Sequence, residues 1–222
     1  MGLSLAIIII VIYTIALLLI FMYSLAQLNL LINYLGYKKR NEEAPKFNLL
    51  DPKEIPYVTI QLPIYNEKYV MERLLDNIAR IEYPKSKLEI QVLDDSTDDS
   101  VQSTAAQVAE LQKTGLDIQH IRRTNREGFK AGALKEGLEF AKGEFIAIFD
   151  ADFLPRPDFL RKTIPYFSNP KVGVVQTRWE HINQEYSLIT RLQALQLKVH
   201  FTVEQKGRLS ADYLLQFNGT GG

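Results

Sequence analysis

An α/β fold is predicted here: a mostly parallel sheet with helices on both faces, preceded by one N-terminal transmembrane helix. Three observations predict it. Charged residues are missing from Leu3 to Leu35. From residue 57 onward, β-rich and helical runs alternate. Acidic residues collect where the β-rich runs end.

The N-terminal run is almost wholly apolar up to Ala26. A helix of roughly 20 apolar residues crosses a bilayer core, and this run meets that length with room for tilt. "SLAQ" at residues 24–27 resembles the small-x-small site of a cleaved signal peptide. Against cleavage, no Lys or Arg precedes the run, and apolar residues continue through Leu28, Leu30, Leu31, Ile32 and Leu35. A retained transmembrane helix over residues 1–36 is therefore expected. Lys38, Lys39 and Arg40 follow it, which by the positive-inside rule places the rest of the chain in the cytoplasm. Tyr34 and Tyr37 stand where interfacial aromatics are expected. A juxtamembrane linker is expected over 37–56, its part from residue 41 carrying three prolines among polar residues.

The soluble part, residues 57–222, reads in order. "YVTIQLPIY" (57–65) is β-rich and is followed by a helix from about Glu67 to Ile81. "KLEIQVLDD" (87–95) is a second strand. A helix follows over 98–113, where Asp99 and Gln102 fit a capping box. "LDIQHIRR" (116–123) and "EGFKAGALKEGLEFAK" (127–142) form a third strand and helix. Then come "EFIAIFDAD" (144–152), a short helix after Pro157, the run "VGVVQTRWEHI" (172–182) and a helical stretch over 188–206. Such alternation implies parallel strands, and open parallel sheets bind ligands at the carboxyl ends of their strands.

Composition narrows the partners. Lys plus Arg and Asp plus Glu both total 26, so the net charge is zero and no basic stripe invites nucleic acid. With no cysteine there is no disulfide framework and no thiolate metal site.

The acidic strand ends carry the chemistry. Tyr65-Asn66-Glu67 follows the first strand, Asp94-Asp95 the second, and Asp150 and Asp152 the later one. Carboxylates gathered at one edge repel unless a divalent cation joins them, and oxygen ligands favour Mg²⁺ or Mn²⁺. In an extended segment Asp150 and Asp152 would lie on one side, roughly 6.6 Å apart at Cα. Two carboxylates suit a Mg²⁺ shared with ligand phosphates. "NREGFKAGAL" (125–134) places Arg126, Gly128, Lys130 and Gly132 at a helix start, a favourable place for an anion. Neither a G-x-x-x-x-G-K-[ST] loop nor a G-x-G-x-x-G turn is present, which disfavours P-loop and dinucleotide chemistry.

In order, "PIYNE", "VLDDSTDDS", "NREGFKAGAL", "FDADFLP" and "QTRW" resemble the family 2 glycosyltransferases, most nearly their membrane-bound, cellulose-synthase-like β-glycosyltransferases. The resemblance runs from about Pro56 to Gly222 and implies a GT-A fold. It also implies inverting transfer of a hexose from a nucleotide-diphosphate sugar, of UDP-glucose or GDP-mannose type, to a polysaccharide or lipid acceptor. It assigns the donor to Tyr65, Glu67, Asp94, Asp95, Lys130 and Asp150, with the base against Tyr65 and the diphosphate on Lys130. Asp152, with Asp150, is the implied metal site. Gln176, Arg178 and Trp179, with Gly219 and Thr220, resemble segments near donor sugar and acceptor.

The family's general base lies after a "GTGG"-like segment, and this sequence stops there, so no catalytic base is expected within these 222 residues. "QTRW" is one residue short of a Q-x-x-R-W motif. The expectation is a chain truncated at its C-terminal end that binds donor and does not sustain transfer. A sugar nucleotidyltransferase and a non-catalytic, membrane-anchored nucleotide-sugar-binding protein are the competing readings. "PIYNE" replaces the glycine- and arginine-rich loop that the former needs.

Overall fold

Period-two alternation in "VTIQLPI" and "LEIQVLD" sets the architecture. The computed structural model describes residues 2–39, 45, 55–215 and 217–222. The expected linker lies mostly outside them. Four strands, β1 (Val58–Ile64), β2 (Leu88–Asp94), β3 (Asp117–Arg122) and β4 (Phe145–Ile148), form one parallel sheet in the order β3-β2-β1-β4. Helices α2 (Met71–Ile78), α3 (Ser100–Lys113), α4 (Phe129–Phe140) and α5 (Phe159–Thr163) connect and follow them.

The odd and even positions of each strand meet different neighbours. Val58, Ile60 and Leu62 join Ile90, Val92, Leu74, Leu75, Ile78 and Val108 in the main apolar core, on the α2 and α3 side. Thr59, Gln61, Glu89 and Gln91 face α4 and are just as buried, which an alternating pattern does not reveal. Their polar atoms largely satisfy one another. Thr59 Oγ1 donates to Glu89 at 2.7 Å and Gln61 Nε2 to Gln91 Oε1 at 3.0 Å. Glu89 also accepts the backbone N–H of Lys142, so the buried carboxylate is hydrogen-bonded, as burial of a charge requires.

Element boundaries shift from the sequence reading for local reasons. Helix α2 begins at Met71 and not near Glu67, because Asn66 is left-handed and a turn intervenes. No capping box forms at Asp99: its carboxylate pairs with Lys68 at 2.5 Å, and Asp98 accepts the Ser100 N–H instead. The run over 172–182 forms no regular strand. Part of it, Gln176–Thr177, hydrogen-bonds to residues 220 and 221.

The molecule divides into two compact units. One unit is Ala44–Thr177 with Phe217–Gly222, and holds the sheet. The other is Met1–Glu43 with Arg178–Gln216. In the latter, α1 (Gly2–Lys38) is long and apolar enough to cross a membrane. Helix α6 (Leu188–Val199) starts at a Ser187–Thr190 capping box and runs through a π-helical segment (His200–Gln205) into α7 (Lys206–Ser210). The backbone of α7 meets that of α1 where Gly207 faces Leu30, a buried leucine of α1.

Candidate functional site

The loops after β1 and β2 are laced together. Asn66 N–H donates to Ser96 Oγ at 2.8 Å, Thr97 N–H to the Asn66 side chain at 2.9 Å, and Asp95 N–H to Ile64 O at 3.1 Å. This lacing sets Tyr65 and Asp95 beside each other at the carboxyl ends of their strands.

Arg123, at the end of β3, organises the next loop. Its Nε and Nη2 donate to the two Asp95 oxygens at 2.6 and 2.5 Å. Its remaining fork bonds the carbonyls of Glu127 and Phe129, each at 2.7 Å. Hydrogen bonding to Asp95 is the main reason the Arg123 pKa is raised above its ordinary value. Those two carbonyls belong to a loop with two consecutive left-handed residues, Gly128 at φ 69° and Phe129 at φ 50°. A non-glycine residue held there stores backbone strain, and Arg123 is the restraint that holds it. Gly132, one turn into α4, lies so close that an added Cβ would stand 1.9 Å from the Glu127 carbonyl oxygen. Of the four residues singled out at this helix start, the two glycines thus shape the loop. Sequence reasoning missed Arg123, whose partner Asp95 lies 28 residues away.

Tyr65, Glu67, Asp95, Arg126, Lys130, Asp150 and Asp152 line one cavity of about 420 Å³, its floor formed by apolar residues such as Ile64 and Ala133. Lys130 Nζ donates to Asp150 Oδ1 at 2.5 Å and to Gly219 O at 2.9 Å. Arg126 takes a place the sequence did not suggest: its guanidinium lies over the Tyr65 ring, 3.2 Å from the centroid.

Asp150 and Asp152 are not in an extended strand. Strand β4 ends at Ile148, and Phe153 N–H donates to Asp150 O at 3.0 Å, closing a turn. The turn therefore lies at the wall of the cavity that Asp150 and Asp152 line. The segment from 217 to 222 fixes Asp150 from the other side. Thr220 Oγ1 accepts the Asp150 N–H at 3.0 Å, while Ile148 exchanges hydrogen bonds with Gly221 and Gly222. Gln176 joins the same segment, donating to Thr220 O and accepting from Asn218 N–H.

Among the described residues no three His, Asp or Glu side chains come together as a metal group. Asp152 is exposed and, among the described residues, has neither hydrogen bond nor ion pair for its carboxylate, while Asp150 beside it is held by Lys130. One free and one shared carboxylate fit a Mg²⁺-type ion that takes its other ligands from phosphate and water.

Asp94 points away from the cavity into the protein, its side chain fully buried. Burial alone would raise its pKa, but hydrogen bonds from His120 and Ser96 outweigh that and leave it lowered. His120 Nε2 lies 2.7 Å from Asp94 Oδ2. With the folded pKa below the unfolded value of about 3.9, this carboxylate stabilises the protein above that pH. The stabilisation is lost as pH falls through the lowered folded value. Asp94→Asn is expected to be less stable at pH 7 and to show a flatter loss of urea midpoint as pH falls below about 4. An unchanged acid profile in Asp94→Asn would contradict this role.

Arg178 and Trp179 fall in the unit that contains α1. There Arg178 pairs with Glu180, and Trp179 packs edge-on against Phe201, with centroids 5.5 Å apart.

A parallel sheet with an acidic and cationic cavity at its strand ends is an arrangement that GT-A proteins share. Residues 59–219 match the family model described as Glycosyl transferase family 2, and the chain belongs to that family. It is 45% identical over 192 residues to glucomannan 4-beta-mannosyltransferase 1 of Cyamopsis tetragonoloba, covering 84% of this chain and 36% of the relative. It is 44% identical over 172 residues to probable glucomannan 4-beta-mannosyltransferase 4 of Oryza sativa subsp. japonica, covering 75% and 31%. The chain thus spans about a third of the length of the curated relatives it matches. Among solved structures it is similar to the mannosyltransferase PcManGT from Pyrobaculum calidifontis in complex with GDP-Man and Mn²⁺. That match has TM-score 0.55 and 33% identity, over 73% of this chain and 47% of the other. The resemblance drawn from the five sequence motifs is borne out.

Proposed function

We propose that this chain is the donor-binding part of an inverting, membrane-anchored hexosyltransferase acting on a growing polysaccharide, with a GDP-mannose-type donor ahead of UDP-glucose. The observation that carries it is the cavity lined by Tyr65 after β1, Lys130 in the first turn of α4, and Asp152 after β4, whose carboxylate has no partner among the described residues. Tyr65 offers an aromatic face to a base, and Lys130 a cation to a diphosphate. The glucomannan mannosyltransferases support the mannosyl assignment, and GDP-Man with Mn²⁺ in the Pyrobaculum protein supports the donor and ion. Helix α1 supports the anchor, with the sheet on the cytoplasmic side following from Lys38 and Lys39.

Asp152 and Asp150 would hold the ion, which when bound neutralises charge on the departing diphosphate. Lys130 releases Asp150 and turns to the diphosphate, where its charge stabilises the leaving group. Thr220 and Gln176 keep Asp150 in place through the backbone. Glu67 and Asp95 flank the nucleoside, and Asp94 supports Asp95 from below. Gly219, Thr220 and Gln176 border the donor sugar, and Arg178 and Trp179 are assigned to the acceptor. No residue of this chain is assigned the general base.

Calorimetric titration of the full chain with GDP-mannose and UDP-glucose, with and without Mn²⁺, tests the reading. The affinity for GDP-mannose is expected to rise about tenfold or more with metal, and Asp152→Asn to remove that rise. A metal response left intact by Asp152→Asn sinks the metal assignment. Absence of binding to either donor sinks the reading as a whole.

A further inference from the structure

Arg126 occupies the place where a base would lie. Its guanidinium carbon is 3.2 Å from the centroid of Tyr65, while a stacked base needs about 3.5 Å of clearance from the ring on its own account. The two cannot share that face in this arrangement. Nor is Arg126 anchored there by hydrogen bonds. Its Nε is buried and unbonded, Asp95 Oδ2 is 3.8 Å away, and Asp95 is already occupied by both arms of Arg123. Of the two cations lining the cavity, Lys130 is hydrogen-bonded to Asp150 and Gly219, whereas Arg126, among the described residues, is held by its stack on Tyr65, a longer contact with the Phe129 ring at 5.2 Å and the loose pairing with Asp95. The backbone that carries it is rigid: Phe129 N–H donates to Arg126 O at 3.1 Å, and Arg123 clamps the next residues. Motion of Arg126 is therefore motion of its side chain, within a cavity that Lys130, Asp150 and Asp152 also line.

Resting on the donor reading above, we infer that Arg126 makes base binding conditional on the diphosphate. In the free protein it covers Tyr65. A bound base displaces it, exchanging one stack on Tyr65 for another, and the freed guanidinium moves to the diphosphate beside Lys130. A nucleoside without phosphates loses the first stack and recovers nothing from the guanidinium. A nucleoside diphosphate recovers charge-assisted hydrogen bonds from it. The residue thus sets selectivity for nucleoside diphosphates over nucleosides, and its signature is an effect of opposite sign on the two ligands.

The test compares guanosine with GDP by calorimetry on the full chain, in the parent, Arg126→Ala, Arg126→Lys and Lys130→Met. Arg126→Ala is expected to bind guanosine about three- to tenfold tighter, since no cation–π stack opposes the base. The same variant is expected to bind GDP about tenfold more weakly. Arg126→Lys, which keeps the charge and the loop, is expected to shift guanosine in the same direction by less while retaining most of the GDP affinity. Lys130→Met is expected to weaken GDP without the tighter guanosine binding expected of Arg126→Ala. Weaker guanosine binding in Arg126→Ala, or an unaltered guanosine-to-GDP ratio in both Arg126 variants, overturns the inference while leaving the donor reading standing. Failure of the parent to bind GDP or UDP overturns both.

Discussion

Replacing Arg123 with methionine is expected to destabilise the sheet unit by about 3 kcal/mol, measured as a fall in the urea midpoint of the full chain. The side chains of Arg123 and Asp95 are 8% and 6% exposed, so each charge depends on the other. Methionine keeps most of the stem's packing and removes the fork, which isolates the electrostatic loss. Asp95 is then left buried with Arg126 as its nearest cation, at 3.8 Å. The carbonyls of Glu127 and Phe129 lose their donors as well, and the left-handed loop loses its restraint. The double variant Arg123→Met with Asp95→Leu is expected to recover most of the stability, because an apolar pair carries no stranded charge. It is not expected to recover nucleotide binding. A single-variant loss below about 1 kcal/mol would mean the pair behaves like a surface ion pair, against its burial.

Lys130→Met is expected to change two affinities in opposite directions. Affinity for a nucleoside diphosphate should fall about a hundredfold, the usual scale for removing a cation that contacts a charged ligand directly. Affinity for Mn²⁺ alone should rise. Lys130 Nζ lies 2.5 Å from Asp150 in the free protein and competes with any cation for that carboxylate. Without it, Asp150 and Asp152 repel, and a divalent ion relieves the repulsion. The exposure of both partners, 41% and 34%, keeps the gain to a few-fold. Mn²⁺ titration followed by water-proton relaxation, with and without GDP, checks both signs. A parallel fall in the two affinities would place Lys130 in a structural role only.

Much of the sheet was legible in the sequence because alternating apolar positions survive in β1 and β2, and turn residues separate every run. The gathering of Tyr65, Glu67, Asp95, Lys130, Asp150 and Asp152 was legible too, since parallel strands send their carboxyl ends to one edge. What escaped depends on contacts between distant positions. Asp99 looks like a helix cap until Lys68, 31 residues earlier, claims its carboxylate. Arg123 and Arg126 read as two basic residues near a helix, and only the fold separates a buried clamp on Asp95 from a stack on Tyr65. Asp94 and Asp95 are adjacent, so a strand's alternation sends one into the core and the other to the cavity. The grouping of residues 178–216 with α1 has no local signature at all.

The return of residues 217–222 to β4 sets an order of events during synthesis. Thr220 lies 70 residues after Asp150, and Gly219 lies 89 after Lys130. At about 5–20 residues per second, the sheet strands leave the ribosome several seconds before the segment that braces Asp150. During that interval Lys130 lacks the Gly219 carbonyl, Asp150 lacks the Thr220 hydroxyl, and Ile148 at the end of β4 lacks its partners Gly221 and Gly222. An unpaired edge is a template for another strand, so the nascent chain is most exposed to mispairing in that interval. Excursion 178–216, which carries α6 and α7, is thus also a delay line: it postpones the bracing of Lys130 and Asp150 until residues 217–222 emerge.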